Sequence, residues 1–312
     1  MPESTAQFTK RCRHLQGLYR ESLGLEMGVG PYATSKNKHE NMIVGGEVSG
    51  KNFLTPFAFE YAKQRIVNKQ KNETIEEYRL FNNLLSSQPM AFNLFCPLIQ
   101  LMCEGKEAIV TLIAQAIFPQ IAIGKVTVVD LEYLHTDIEN YLGDKTAMDA
   151  IIRYEDTQSR PCIIAIETKY TDVLGENSAR HTERQKALIR QLGYFLSEAE
   201  TKLLDGTKAI SQIYRNFLLT ESYRINEPAH EAYSVVLAPK DHPTTQQEVA
   251  SLREELRVEY RYKVLDITLE QFVQKTLDVC PEEYLKPFHD FRERYLNLSN
   301  NRTISPYLMK EK

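Results

Sequence analysis

The chain has 312 residues, with 38 Lys+Arg against 42 Asp+Glu and a formal charge of -4. That length accommodates one elaborated core or two intimate halves, and the balance of apolar and charged residues is that of a globular protein, which excludes a disordered chain. A mildly acidic total argues against a surface coated in nucleic-acid-binding charge, though it leaves room for a local basic groove.

From the N-terminus, residues 5–23 read as a basic helix, and residues 24–52, rich in Gly, Ser and Asn with little periodicity, read as an attachment or lid. Thr55 and Pro56 supply an N-cap and a first helical residue for a helix to residue 69. Thr74 and Glu77 have the spacing of a capping box, opening a helix that carries Tyr78, Phe81, Leu84 and Leu85 at helical intervals. Helices over 91–103 and 106–118 complete a mainly helical first third. β-Branched and aromatic runs then predict three successive strands, at 125–130 (KVTVVD), 148–154 (MDAIIRY) and 162–170 (CIIAIETKY). Helices over 178–204 and 208–223 and a buried strand at 233–238 follow. The pattern closes with a helix at 245–257, a strand at 262–267, a helix opened by a capping box at Thr268 and Gln271, and a last helix over 281–296. There is no internal repeat or low-complexity segment.

Cys12, Cys96, Cys103, Cys162 and Cys280 are odd in number and widely spaced, which predicts buried free thiols in a reducing compartment rather than disulfides or a zinc cluster. The first residues lack the apolar centre of a signal peptide. The most apolar stretch, 108–123, is interrupted by Gln115, Pro119 and Gln120 and is too short to span a bilayer. The expectation is a cytoplasmic protein with no membrane segment.

Turn-rich residues 155–161 join the second and third predicted strands, and the simplest antiparallel register centres on Gln158. Asp149 then faces Glu167, and directly opposed residues have Cβ atoms about 4.5–5.5 Å apart. Like charges at that range repel unless a cation lies between them. Side chains repeat every second residue along a strand, so Lys169 emerges on the face of Glu167 while Thr168 turns away. Such charges among Ile and Ala flanks persist only when paired or metal-bound. Hard oxygen ligands of this kind hold Mg²⁺ or Mn²⁺ while other positions keep water and phosphate oxygens. That is the chemistry of phosphodiester hydrolysis: Asp149 and Glu167 as ligands, the Thr168 carbonyl as a further ligand, and Lys169 as the cation beside the reacting phosphorus. The plain alternative is a solvated surface pair of Glu167 with Lys169 or Arg153.

At these positions the chain resembles the PD-(D/E)XK superfamily of restriction-endonuclease-like nucleases. Its core runs helix, three strands, helix, strand, with Asp on the second strand and (Asp/Glu)-x-Lys on the third, and Asp149 and Glu167-Thr168-Lys169 match. Residues 85–95 (LSSQPMAFNLF), 143–149 (GDKTAMD) and 212–216 (QIYRN) are similar to segments of a poorly characterised bacterial branch of predicted restriction endonucleases. The superfamily resemblance covers roughly residues 73–239. It implies an α/β fold with a restriction-endonuclease-like α-β-β-β-α-β core, a mixed sheet flanked by helices. An N-terminal helical extension (1–72) would precede a nuclease-like domain (73–312) that carries C-terminal α/β additions. It implies a metal-dependent nuclease, a DNA endonuclease in restriction or phage defence, with nucleic acid as partner and a homodimer for double-strand cutting. The superfamily often adds an acid from the preceding helix; Glu77 and Glu107 are the candidates, with Glu77 accounted for by its capping box.

Ser86, Ser87, Gln88 and Asn93 are residue types that bind phosphate or support a metal site, and equally types that cap helix ends. Gln212, Arg215 and Asn216 share neighbouring turns, to reach the active face or DNA, or to form a plain helix surface. Lys186 and Arg190, with Arg180, His181 and Arg184, form a basic segment suited to phosphate contacts or to a solvated face. By the resemblance, Gln191 and Tyr194 fall where a polar residue approaches the metal. Two rival readings stay open: a catalytically inactive nucleic-acid-binding or assembly module on the same fold, and an RNA-directed nuclease. The scattered histidines form no zinc pair.

Overall fold

The computed structural model describes residues 3–69, 73, 75–135, 137–174 and 183–297. Helix α1 (Thr5–Ser22) opens on a capping box in which the Ser4 hydroxyl accepts the Gln7 N–H and the Gln7 side chain accepts the Ser4 N–H. The stretch read as an aperiodic attachment contains an antiparallel hairpin, β1 (Met27–Val29) and β2 (Lys38–Ile43), then a single turn, α2 (Gly46–Ser49). β1 is too short, and its register too irregular, for an alternation of apolar residues to announce it. Helix α3 (Pro56–Val67) starts at the expected Thr55 cap. Helix α4 (Glu77–Asn82) is capped by Glu76, whose carboxylate accepts the Arg79 N–H; Thr74, the expected cap, lies outside the described residues. α4 stops short of Leu84 and Leu85 because Asn83 takes extended backbone and its side chain accepts the Leu85 N–H. Helices α5 (Ser87–Cys103) and α6 (Glu107–Ile117) follow, α5 buried on almost every side.

Among the described residues the main sheet has five strands in chain order: β3 (Ile123–Tyr133), β4 (Met148–Asp156), β5 (Pro161–Thr168), β6 (Glu231–Ala238) and β7 (Val264–Thr268). The first three pair antiparallel, and β6 and β7 run parallel to β5, giving the expected mixed sheet flanked by helices. Parallel neighbours need crossovers. Helices α7 (Glu183–Leu192), α8 (Ser197–Asp205) and α9 (Gln212–Asn226) make the first, and α10 (Thr245–Glu255) the second. The helix expected over 178–204 is thus two. Gly193, at φ +60, ends α7, and Phe195 then bridges to Leu256 instead of continuing the helix; residue 178 lies outside the described residues. Helix α11 (Leu269–Val279) carries the predicted Thr268–Gln271 capping box. The last expected helix is broken into a short turn, α12 (Lys286–Phe291) and a wide turn over Arg292–Leu296.

One sheet face buries Val129, Ile152, Ile164 and Ile166 against α5, and the same core takes in Phe8 and Cys12 of α1 and Tyr295 near the C-terminal end. The buried Arg294 guanidinium locks these parts together, donating to the backbone and side-chain oxygens of Asn52 (2.7 and 2.6 Å) and to Gln16 (3.2 Å). On the other face Ile151, Ile163 and Ala165 pack against Leu219 and Tyr223 of α9. All five cysteines are free, with Cys103 alone exposed. No helix among the described residues is long and apolar enough to cross a membrane.

Candidate active site

β4 and β5 pair in the register centred on Gln158: Ile152 opposite Ile164, Ala150 opposite Ile166. One step further along, Asp149 stands across from Glu167. Both Glu167 and Lys169 are buried, 5% and 6% exposed, so the solvated surface pair is not what forms; Arg153 pairs with Glu227 instead. Lys169 Nζ lies 2.8 Å from Glu167 Oε1 and donates to Gln212 Oε1 at 3.1 Å. Gln212 Nε2 donates to the same Glu167 oxygen at 2.8 Å, and Asn216 Nδ2 donates to the other at 2.8 Å. α9 therefore holds the Glu-x-Lys pair from above, its i and i+4 side chains each gripping one carboxylate oxygen. Thr168, on the opposite parity of β5, gives both its N–H (2.7 Å) and its hydroxyl (2.8 Å) to Asp149 Oδ2, which fixes that carboxylate's orientation.

A third carboxylate faces the site from β3. In the β3–β4 ladder Leu131 pairs with Ala150 and Tyr133 with Met148, so Glu132 falls across from Asp149. Glu132, Asp149 and Glu167 thus form a row across three adjoining strands. Glu132 takes a positive φ of 49, a conformation disfavoured for any residue with a Cβ. It is buried, and Gln88 Nε2 donates to its Oε1 at 2.8 Å. The sequence reading missed this acid because a long link, 134–147, joins β3 to β4 and leaves their register free, whereas the tight turn at 157–160 fixes that of β4 and β5 by counting. The acids sought on a helix lie elsewhere: Glu77 is exposed at the start of α4 and lines a separate hollow with Glu47, and Glu107 sits in the first turn of α6.

The row has an electrostatic cost. Burial, then the charges of Glu167 and Glu132, push the Asp149 carboxyl well above the usual range, with Lys169 and the Thr168 N–H opposing. Burial also pushes Glu132 up to about 7, against the pull of Gln88. Burial alone would lower Lys169; the charges of Glu167 and Asp149 outweigh it and hold the ammonium above its ordinary value. Three carboxylates against one ammonium leave an excess of negative charge that a hard divalent cation would relieve. Two buried amide oxygens beside this row, Gln88 Oε1 and Asn216 Oδ1, meet no hydrogen-bond donor among the described residues. Among the described residues no three His, Cys, Asp or Glu side chains converge on a single metal position. An ion held by Asp149 and Glu167 would complete its shell with carbonyl oxygens and water, as Mg²⁺ prefers.

The row opens into a cavity of about 440 Å³ whose floor includes Glu132, Asp149, Glu167 and Lys169. Ser87, Gln88, Gln212 and Arg215 line it as well; Ser87 donates to Asp172 (3.3 Å), and Arg215 approaches Asp144 at 3.1 Å. Arg79 and Lys145 stand on the same wall, Arg79 within 3.6 Å of Asp172. Ser86 is the N-cap of α5. Asn93 is not brought to the site: it lies on the buried side of α5, where it accepts the Leu54 N–H and donates to Asn52 O and Tyr295 OH. Nor do Lys186, Arg190, Gln191 or Tyr194 line the cavity. Lys186 pairs with Glu183, Gln191 borders another hollow, and Tyr194 stacks on Tyr260. Arg184 pairs with Glu139, and Arg180 and His181 lie outside the described residues.

Comparison with known proteins gives one family: the model of the PD-(D/E)XK nuclease superfamily matches residues 3–297. No curated protein and no solved structure matches the chain.

Proposed function

The chain belongs to the PD-(D/E)XK nuclease superfamily, and from that premise we propose a working Mg²⁺- or Mn²⁺-dependent nuclease that cuts DNA internally. The observation that carries this reading is the buried Lys169–Glu167 contact, 2.8 Å long, at the floor of an open cavity beside Asp149. Such charges are expensive to bury and are kept where they act. Asp149 and Glu167, with the Thr168 carbonyl, would hold the cation. When bound, it supplies Lewis-acid polarisation of the phosphate and a lowered pKa for water.

The chain's own groups do the rest. Gln212 and Asn216 aim Glu167, and Thr168 aims Asp149, so neither carboxylate has to reorganise when substrate arrives. Lys169, held between Glu167 and Gln212, keeps a positive charge where the phosphorus gains electron density, and positions the attacking water. Arg215, Arg79 and Lys145 on the wall are placed for phosphates flanking the cut. Similarity of 85–95, 143–149 and 212–216 to predicted restriction endonucleases supports DNA as substrate and a role in restriction or phage defence. With one such site on the described chain, two copies would serve double-strand cutting.

The test incubates the purified protein with single- and double-stranded DNA and RNA, in Mg²⁺, Mn²⁺ or EDTA, beside Lys169→Ala and Asp149→Ala. Metal-dependent DNA cleavage lost in both variants is the expected result. Cleavage of RNA alone would move the substrate to RNA. Salt-sensitive binding without cleavage would make the protein an inactive nucleic-acid-binding module.

A further inference from the structure

The link from β3 to β4 ends in a turn that fixes one acid at the rim of the cavity. Leu142 and Gly143 take successive positive φ values of 66 and 65, and the Gly143 N–H donates to the Ile138 carbonyl at 2.8 Å. Glycine suits that second position, because a Cβ there would lie 2.9 Å from Arg184 Nη1 in a backbone region that already disfavours side chains. The turn delivers Asp144, whose side chain is 12% exposed. Its Oδ1 accepts both the N–H and the hydroxyl of Thr146, at 2.9 and 2.7 Å, and its Oδ2 stands 3.1 Å from Arg215 Nε on α9. One carboxylate therefore ties the segment that carries Lys145 to the helix that clasps Glu167, and Lys145 and Arg215 both line the cavity.

The two cations keep their charge available. Lys145 is exposed on the cavity wall, and among the described residues no carboxylate pairs with it. Arg215 is held by charge without an aligned bond: its Nε is buried and meets no hydrogen-bond acceptor among the described residues. A guanidinium left short of acceptors is costly, and an anionic oxygen in the cavity is what would complete it. With Asp144 on its Nε side, the Nη edge stays free for the planar two-bond contact that arginine makes with phosphate.

We propose, resting on the nuclease reading of this cavity, that Asp144 is a positioning residue that strengthens nucleic-acid binding although it is an acid. It presents Lys145 and Arg215 together to one phosphate of the substrate strand beside the one that is cut, and touches no substrate itself. Coulomb's law alone gives the opposite sign. Removing an acid about 10 Å from a polyanion should tighten binding, by at most about twofold in screened solvent.

Fluorescence anisotropy of a labelled DNA duplex, titrated in EDTA over a salt series with the full chain carrying Asp149→Asn, separates the two signs. In that parent, Asp144→Ala should weaken binding by about tenfold, the loss expected of one charge-assisted contact. The slope of log affinity against log salt should become shallower by about 1. Asp144→Asn keeps an oxygen for Thr146 but not the charge beside Arg215, and should fall between. With Lys145→Ala and Arg215→Ala already in place, Asp144→Ala should no longer weaken binding, because the groups it positions are gone. A purely structural role would carry the same loss into that background, and that result overturns the proposal. Tighter or unchanged binding by Asp144→Ala in the parent overturns it too, as does a parent that binds no DNA. The nuclease reading is judged separately, by metal-dependent cleavage with the unmodified protein: its absence would remove that reading, and its presence would let the reading survive a failed Asp144 test.

Discussion

Replacing Glu132 by Gln should stabilise the metal-free protein at alkaline pH, by an amount that follows from its surroundings. Burial and the neighbouring Glu167 raise this carboxyl from the ordinary 4.5 to about 7. At about 1.4 kcal/mol per tenfold change in proton affinity, that is about 3 kcal/mol between the protonated and ionised forms. The sign follows from linkage. A carboxyl with a raised folded-state pKa contributes stability that is whole below pH 4.5, is lost as pH climbs to about 7, and stays lost above it. The amide has no proton to lose, keeps nearly the same shape and still accepts from Gln88, although giving up an ionic acceptor returns about 1 kcal/mol. The variant should therefore gain about 2 kcal/mol at pH 8 and come out level with, or slightly below, the unmodified protein at pH 5. Urea denaturation of both proteins in EDTA, followed by circular dichroism at the two pH values, measures this difference. A gap that does not change with pH, or a variant less stable at pH 8, would refute the electrostatic account of the carboxylate row.

Lys169→Met should abolish cleavage and also cost about 3–5 kcal/mol of stability in EDTA, because Glu167 is then buried without its cation; denaturation and cleavage assays run side by side check both halves. Gln212→Leu removes the bridge between Glu167 and Lys169, and should lower Mn²⁺ affinity and cleavage by about 10–100-fold with little change in the DNA affinity of the metal-free protein. Arg79→Ala and Arg215→Ala, each tested in an Asp149→Asn background that cannot cut, should weaken binding for every sequence alike. Each should reduce the slope of log affinity against log salt by about 1. Slopes equal to that of the parent would remove these residues from the phosphate contacts.

The candidate site was legible where local rules suffice. A four-residue turn sets the β4–β5 register, so counting from Gln158 places Asp149 opposite Glu167, and a period of two puts Lys169 beside Glu167. Caps at Thr55 and Thr268 were readable for the same reason, since the groups they satisfy lie within one turn. Thr168 shows the limit of that logic: its side chain turns away from Glu167, as expected, and finds Asp149 at the strand end. Asn93 had the right residue type for phosphate binding, yet its surroundings, Asn52, Leu54 and Tyr295, come from segments as much as 202 positions away.

The amino-acid order by itself determined most of the helices, the β4–β5 register, the Glu167–Lys169 pair and the family to which the chain belongs, because each depends on near neighbours or on a short motif. Only the tertiary structure decided what completes the site. The pairing of β3 with β4 across a long link brings in Glu132, and the return of α9 after two intervening helices clasps Glu167 with Gln212 and Asn216. Those contacts depend on how distant segments pack, and no local spacing encodes that packing.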